Sequence, residues 1–396
     1  MSSNIGPEAQ AAYTKYLDAT SLDEKIKKLE EFLSLVPKHK GTEKIVALNR
    51  SRLAKLKRQQ EENKQRLKST GKKSPFSIKK EGIQIICISD YHTPGVGKTS
   101  LLNYMTGAAK DKIGKFTAIP EIGIFSYKKI RYQIVDMPSI MENASKGIGN
   151  GKEILSQLRS FDLICLCFDL TRDVNEQMRL LLNELSSADI KLNEPPPPIT
   201  IEKTGANKIQ VFYLTKEAKE IKDLINFTEK VKELVNENGI KNAVVKIYGD
   251  ITVDHIIDAL TPSMVYKKAI IIATKGDLPH TEETFDKLKL NYSNKFPVII
   301  GVSVKKQNFP NDFGDIILNF LNKIKIYTVN AGIVADSPLV LDRYSTVRDV
   351  ALKIHKSFFN LFDYANINRK SARQERKKVG LDYELEDGDL IEIHTR

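Results

Sequence analysis

From Ile83 onward the sequence passes through five short apolar runs, IQIICIS, YQIVDM, LICLCFDL, AIIIAT and PVIIGVS, separated by segments of helical spacing. Strands that are apolar on both pleat faces need cover on both sides, and chains that alternate such strands with helices build largely parallel α/β sheets. An all-helical, all-β or fibrous fold is excluded. The 396 residues suffice for roughly two to four domains, and 41% hydrophobic with 28% charged residues is an ordinary globular balance. No apolar run approaches the roughly 18 residues of a membrane span, and residues 1–21 lack the basic and apolar regions of a signal peptide, so a soluble, cytoplasmic protein without membrane partners is expected. Of three cysteines, Cys165 and Cys167 share one apolar run. Neither a disulfide framework nor a four-thiolate metal site can be built from them.

Charge is concentrated at one end. The formal net charge is +12, and residues 38–80 carry fifteen Lys/Arg against Glu43, Glu61 and Glu62. Such a block points to a polyanion, and RNA is favoured over a membrane because no aromatic anchors accompany it; a solvated helix face is the bland alternative. Around it, Leu22, Ile26, Leu29, Leu33 and Val36 recur at helical spacing after Ser21 as N-cap with Glu24 as capping-box partner, and Pro37 ends that helix. A second helix from about Thr42 buries Ile45, Val46, Leu48, Leu53 and Leu56, predicting a helical hairpin with a basic outer face. Residues 69–80 have linker composition. Residues 1–80 therefore form one basic hairpin with its linker, and residues 81–325 an α/β domain. This domain is interrupted over residues 191–265 by an α+β insertion that opens with Pro195–Pro198. Residues 326–396 form a last module, in which YTVNAG, PLVLD, a helix over 346–362, YANI and DGDLIEIHT suggest a β-grasp.

The segment HTPGVGKT, His92 to Thr99, follows a strand and precedes the helical run SLLNYMTG, the context that a P-loop requires. In the nucleotide-binding loop from Pro94 to Ser100, the backbone N–H groups of Gly95, Val96, Gly97, Lys98, Thr99 and Ser100 can cradle phosphate oxygens, Lys98 can reach the β and γ phosphates, and the Thr99 hydroxyl can ligate Mg²⁺. His92 stands where the motif has its first glycine; if that position needs positive φ, a non-glycine residue costs roughly 1–2 kcal/mol. Asp136 ends the strand YQIVD, where a carboxylate would hold Mg²⁺ through water. Ser139 replaces the glycine of D-x-x-G, keeping the N–H for the γ-phosphate but losing glycine's freedom, so a stiffer switch is expected. Ile140 stands where Ras-like enzymes carry the glutamine that orients water. Thr274-Lys275-Gly276-Asp277 is a variant of N-K-x-D: Asp277 can pair with the guanine N1 and N2 donors and reject adenine, and Lys275 would lie over the base. Ser303-Val304-Lys305 follows the next strand, with the Ser303 and Val304 N–H groups near guanine O6.

These motifs in this order resemble the developmentally regulated GTP-binding proteins, a branch of the Obg-like GTPases. The resemblance covers nearly the whole chain and rests also on KIVALNRSRLAKLKRQ, ENASKGIGNGKEIL, IKLNEPPPPITIEK and the terminal YTVNAG to EDGDLIEIHTR. The last stretch resembles a TGS domain, a β-grasp module. The resemblance implies an α/β P-loop GTPase, with a mostly parallel sheet and helices on both faces, carrying an N-terminal helical hairpin, an inserted α+β subdomain and a C-terminal TGS domain. It further implies hydrolysis of GTP to GDP on ribosomes or in translation, ribosomal RNA as partner, and a companion regulatory protein of the family. A monovalent cation such as K⁺ often assists in this family, but Gly95 stands where cation-assisted relatives carry Asn or Ser. KFTAIPEIG reads as a shortened switch I, with Thr117 as the second Mg²⁺ contact and, with Lys98, a catalytic candidate.

Two other readings remain open. A GTP-binding scaffold with impaired hydrolysis is motivated by His92, Ser139 and Ile140, and an ATPase of the same architecture is disfavoured by Asp277. His39, His255, His280, His355 and His394 lack metal-ligand spacing. Phe358, Phe359 and Phe362 read as β-grasp core, and Lys370, Arg373, Arg376, Lys377 and Lys378 as a second basic cluster.

Overall fold

The computed structural model describes residues 6–19, 22–37, 42–69, 76–92, 95–107, 117–204, 208–221, 223–330, 332–369 and 376–396. These belong to two compact units, Met1–Ser77 and Ile78–Arg396. The first is built of three helices, α1 (Pro7–Asp18), α2 (Leu22–Leu35) and α3 (Glu43–Ser69). This corrects the two-helix hairpin. Pro7 at the first helical position starts α1, whose Ala9 and Ala12 pack with Leu29, Phe32 and Val36 of the following segment in a small apolar core. Leu53 and Leu56 of α3 reach that core, but Leu48 is exposed, contrary to its expected burial. Residue 48 lies on the solvent side of the stripe that Ile45 and Val46 begin. The cap expected at Ser21 lies outside the described residues.

In the second unit, β1 (Ile83–Ile88) leads into α4 (Lys98–Thr106), β2 (Glu121–Tyr127), β3 (Ile130–Asp136), α5 (Gly151–Leu158), β4 (Leu163–Asp169), α6 (Val174–Ser187) and β5 (Ile190–Leu192). The insertion then contributes β6 (Ile199–Lys203), β7 (Ile209–Tyr213), α7 (Lys216–Lys219), α8 (Leu224–Glu237), β8 (Ala243–Ile247) and α9 (Val253–Leu260). The chain returns through β9 (Val265–Thr274), α10 (Thr281–Tyr292), β10 (Ile299–Gly301) and α11 (Phe313–Phe320).

The large sheet has the order β10-β9-β4-β1-β3-β2, with β5 beside the start of β9. All pairs are parallel except β2 with β3. Every residue of β1 and β4 is buried, as the unbroken apolar runs require, and Cys87, Cys165 and Cys167 are free thiols in that core. The edge strand β2 is half open, which is why its sequence carries no continuous apolar run. Because Ile190–Leu192 pairs with Val265–Lys267, residues 191 and 265 are paired strand residues of the large sheet, and the inserted subdomain proper is the sheet β6-β8-β7 with its helices.

The terminal module has β11 (Lys323–Asn330), β12 (Ile333–Val334), β13 (Leu339–Asp342), α12 (Val347–Ile354), α13 (Lys356–Asn360), β14 (Phe362–Asn368), β15 (Lys377–Val379) and β16 (Leu390–Thr395). The final strand β16 is central, parallel to β11 and antiparallel to β14. The single helix expected over 346–362 is two. His355 adopts φ −170°, ψ 148°, and its Nδ1 accepts from the Ser357 N–H at 3.2 Å, so the imidazole ends α12 and caps α13. Of the basic cluster, residues 370–375 lie outside the described residues.

Candidate functional site

Strand β1 and helix α4 meet at Gly97, which has φ +103° as the N-cap of α4, a conformation that glycine adopts without strain. The first N–H groups of α4, over Lys98, Thr99 and Ser100, have no intrahelical acceptor and point out of the helix start. Gly95 has φ +81°. His92 is not among the residues of positive φ, so the strain conditional on that geometry does not arise. Pro94 lies outside the described residues. Lys98 is buried, and its ammonium donates to Ser89 Oγ at 2.5 Å and to Ser139 Oγ at 3.2 Å. The two serine hydroxyls are themselves 3.2 Å apart.

Beside this lysine, three oxygen groups converge from three segments. Thr99 Oγ1 donates to Asp136 Oδ2 at 2.5 Å, Thr117 Oγ1 donates to the same oxygen at 3.3 Å, and the two hydroxyls are 3.5 Å apart. Asp136 is fully buried and, among the described residues, its Oδ1 has no hydrogen-bond partner. Burial pushes the Asp136 carboxyl above its ordinary value, against the pull of Lys98 and the two threonine hydroxyls. A buried orphan carboxylate oxygen beside two hydroxyls is a hard, oxygen-only donor set, and it fits Mg²⁺.

The other rim is formed by the ends of β9 and β10. Thr274 Oγ1 donates to the carbonyls of Val96 at 2.5 Å and Phe168 at 3.0 Å, tying the end of β9 to the P-loop. Lys275, in left-handed geometry at φ +63°, pairs with Asp169 Oδ2 at 2.5 Å. Asp277 Oδ1 accepts from Ser303 Oγ at 2.7 Å, and that bond holds the carboxyl below its usual range. Val304 follows Ser303 in the turn closed by the Ser303–Asn308 bridge. The geometry thus brings Lys98, Thr99, Thr117, Asp136 and Ser139 together at one rim, and Lys275, Asp277 and Ser303 at the other.

Comparison with known proteins agrees along the whole chain. Residues 93–203 match the family described as 50S ribosome-binding GTPase, residues 210–322 match the C-terminal region of that domain, and residues 324–395 match the TGS domain. A GTP-binding protein of Methanocaldococcus jannaschii is 33% identical over 387 residues, 95% of this chain and 93% of its own. The developmentally-regulated GTP-binding protein 2 homolog of Dictyostelium discoideum is 31% identical over 379 residues, covering 93% of this chain and 98% of its own. The chain belongs to the developmentally regulated GTP-binding protein family. Among solved structures, the YchF GTPase of Schizosaccharomyces pombe aligns with 80% of this chain and 99% of its own at 16% identity and a TM-score of 0.44.

In this member of the family, several residues shape the site without having been singled out by sequence. Ser89 holds Lys98. Asp169 holds Lys275 and also accepts from Thr171 Oγ1 at 2.6 Å; it ends a buried strand at the carboxyl edge of the sheet, a placement that could have flagged it. Glu184 of α6 accepts from the N–H groups of Asn143 at 2.7 Å and Ser145 at 2.9 Å, fixing the loop after Asp136. Burial raises the Glu184 carboxyl, but those backbone bonds outweigh it and leave it below its ordinary value. Where that loop ends in α5, a Cβ on Gly151 would meet Ala144 O at 2.2 Å, which explains the glycine at this position. Ile140 is fully buried in the core, and its N–H donates to Ser89 O at 2.8 Å.

Proposed function

We propose that this chain binds GTP at the joined rims and hydrolyses it to GDP and phosphate, acting on the large ribosomal subunit in the cytoplasm. What carries this reading is the convergence of Thr99, Thr117 and the buried, half-satisfied Asp136 beneath an N–H nest, with Asp277 on the facing rim. In this scheme the N–H groups of residues 95–100 hold the β-phosphate, and Lys98 leaves Ser89 and Ser139 to span the β and γ phosphates. Thr99 and Thr117 would hold Mg²⁺ directly and Asp136 through water; when bound, the ion supplies charge that neutralises the phosphate oxygens. Freed of Lys98, Ser139 presents its N–H to the γ-phosphate. Asp277 reads guanine and Lys275 lies over the base; the Ser303 N–H donates to Asn308 O at 3.1 Å and is not available to O6, which leaves the Val304 N–H for that role, with Thr274 fixing the distance between the two rims.

A ribosomal partner is supported by the family description of residues 93–203 and by α3, whose sequence is mostly charged or amide over its 27 residues. The test is Mg²⁺-dependent GTP turnover with and without 50S subunits. Turnover stimulated by subunits is expected, and absence of turnover in both conditions would refute the reading.

A further inference from the structure

At the end of the large sheet opposite the P-loop, a cleft of about 520 Å³ lies between the amino-terminal ends of β1 and β3 and the terminal module. That volume is within the roughly 300–1,000 Å³ of small-molecule sites. Its walls have two characters. Ile83, Ile130, Pro338, Leu339 and Val340 give it apolar surface, while Lys80, Lys129, Arg131, Lys323 and Lys353 surround it against one acid, Asp162. Lys129, Arg131 and Lys323 each meet a carboxylate, of Asp336, Glu81 and Asp342 respectively. Lys80 and Lys353 instead donate to the backbone carbonyls of Ser160 and Val340. Neither of these two ammonium groups makes a direct ion pair among the described residues, although Asp342 and Asp162 act on Lys353 at longer range.

A third lysine, Lys267, donates to Phe161 O at 2.9 Å just behind Lys80. Burial, reinforced by Lys80, lowers its ammonium below the ordinary value against the pull of Asp162. Partial desolvation, reinforced by Lys323, lowers the Lys353 ammonium against the pull of Asp342 and Asp162. Positive charges gathered on one concavity are relieved by an anion, and the apolar wall beside them suits a ring. An extended RNA would need a charged track along an open surface, whereas these cations converge from two modules on one concavity.

We propose that this cleft binds a small phosphorylated ligand of the nucleotide class, its ring against the apolar wall and its phosphates on Lys80 and Lys353. The site is separate from the P-loop and does not depend on GTP hydrolysis. Calorimetric titration of ADP into full-length protein saturated with GDP and Mg²⁺ tests it. One equivalent is expected to bind, with binding retained in Lys98→Ala and weakened at least tenfold in the double variant Lys80→Ala/Lys353→Ala. Both lysines keep solvent-exposed side-chain surface even though the Lys353 ammonium end is partly desolvated, and neither lies in the P-loop site, so the double variant should melt like wild type and turn over GTP at the wild-type rate. Absence of heat at millimolar ADP overturns the proposal, as does equal binding by the double variant. Loss of binding in Lys98→Ala overturns it by placing ADP in the P-loop. If a uridine 20-mer depends on the two lysines while ADP does not, the cleft is an RNA surface and the proposal is also wrong.

Discussion

The phosphate rim and the base rim of the nucleotide site meet the same demand, keeping charged groups ready for a ligand, by opposite means. At the phosphate rim Lys98 and Asp136 are buried and hold each other's neighbourhood together: Lys98 on Ser89 and Ser139, Asp136 on Thr99 and Thr117. At the base rim Asp277 is partly open to solvent, with its carboxylate favoured by Ser303. Buried charge carries a desolvation cost that a ligand can relieve, whereas an exposed, hydrogen-bonded carboxylate carries little. The phosphate rim should therefore govern turnover and ligand-free stability, and the base rim selectivity.

The largest expected effect breaks the phosphate rim outright. Lys98→Ala should lower single-turnover GTP hydrolysis by on the order of 10²–10³, the usual loss when one preorganised group that meets developing charge is removed. Measured nucleotide selectivity should be unchanged. Next, Asp277→Asn places an amide N–H against the guanine donors; GTP affinity by calorimetry should fall roughly tenfold or more, with the Mg²⁺ requirement intact.

The pH response separates the rims by sign. The Asp136 carboxyl is raised in the folded chain, so its contribution favours folding below the ordinary carboxylate value and is lost as pH rises through the raised value. Asp277 is lowered, so its contribution is present above the ordinary value and is lost as pH falls through the lowered one. Ligand-free Asp136→Asn should accordingly melt at or above the wild-type temperature at neutral pH, while losing the stabilisation that Mg²⁺-GTP confers. A melting temperature several degrees below wild type would contradict this assignment of burial cost.

Ser139→Gly removes one of the Lys98 hydrogen bonds and restores backbone freedom after Asp136. A bond to a charged group is worth about 1.5–3 kcal/mol, and this one is long at 3.2 Å, so turnover should rise by about tenfold at most. The smallest effect is expected from exchanging K⁺ for Na⁺: Gly95 offers no side-chain ligand, and initial rates in the two salts should coincide.

The buried strands were legible because an unbroken apolar run has one physical outcome. So was the order of P-loop, Asp136 and Asp277, which the sheet brings to one edge as the motif spacing implies. The edge strand EIGIFSY was not legible, since only one face is covered and the pattern dissolves into the neighbouring loop. Helix α1 was missed because its core face rests on Ala9 and Ala12, which give little hydrophobic signal. The break at His355 depends on an imidazole acting as a cap, an uncommon role that no local pattern announces. Glu184 reads as one more surface carboxylate of α6 until the loop that it holds is seen.

What the chain's own order of residues determined is the buried strands, most of the helices between them and the order of the nucleotide-binding motifs. Only the tertiary structure decided that Lys98 rests on Ser89 and Ser139, that Asp169 holds Lys275, and that Lys80 and Lys353 share one cleft. Local patterns are set by side-chain period and turn chemistry over a few residues. Partnerships such as Lys98 with Ser139, or Asp169 with Lys275, arise from strand order and register, which bring distant positions to one edge of the sheet.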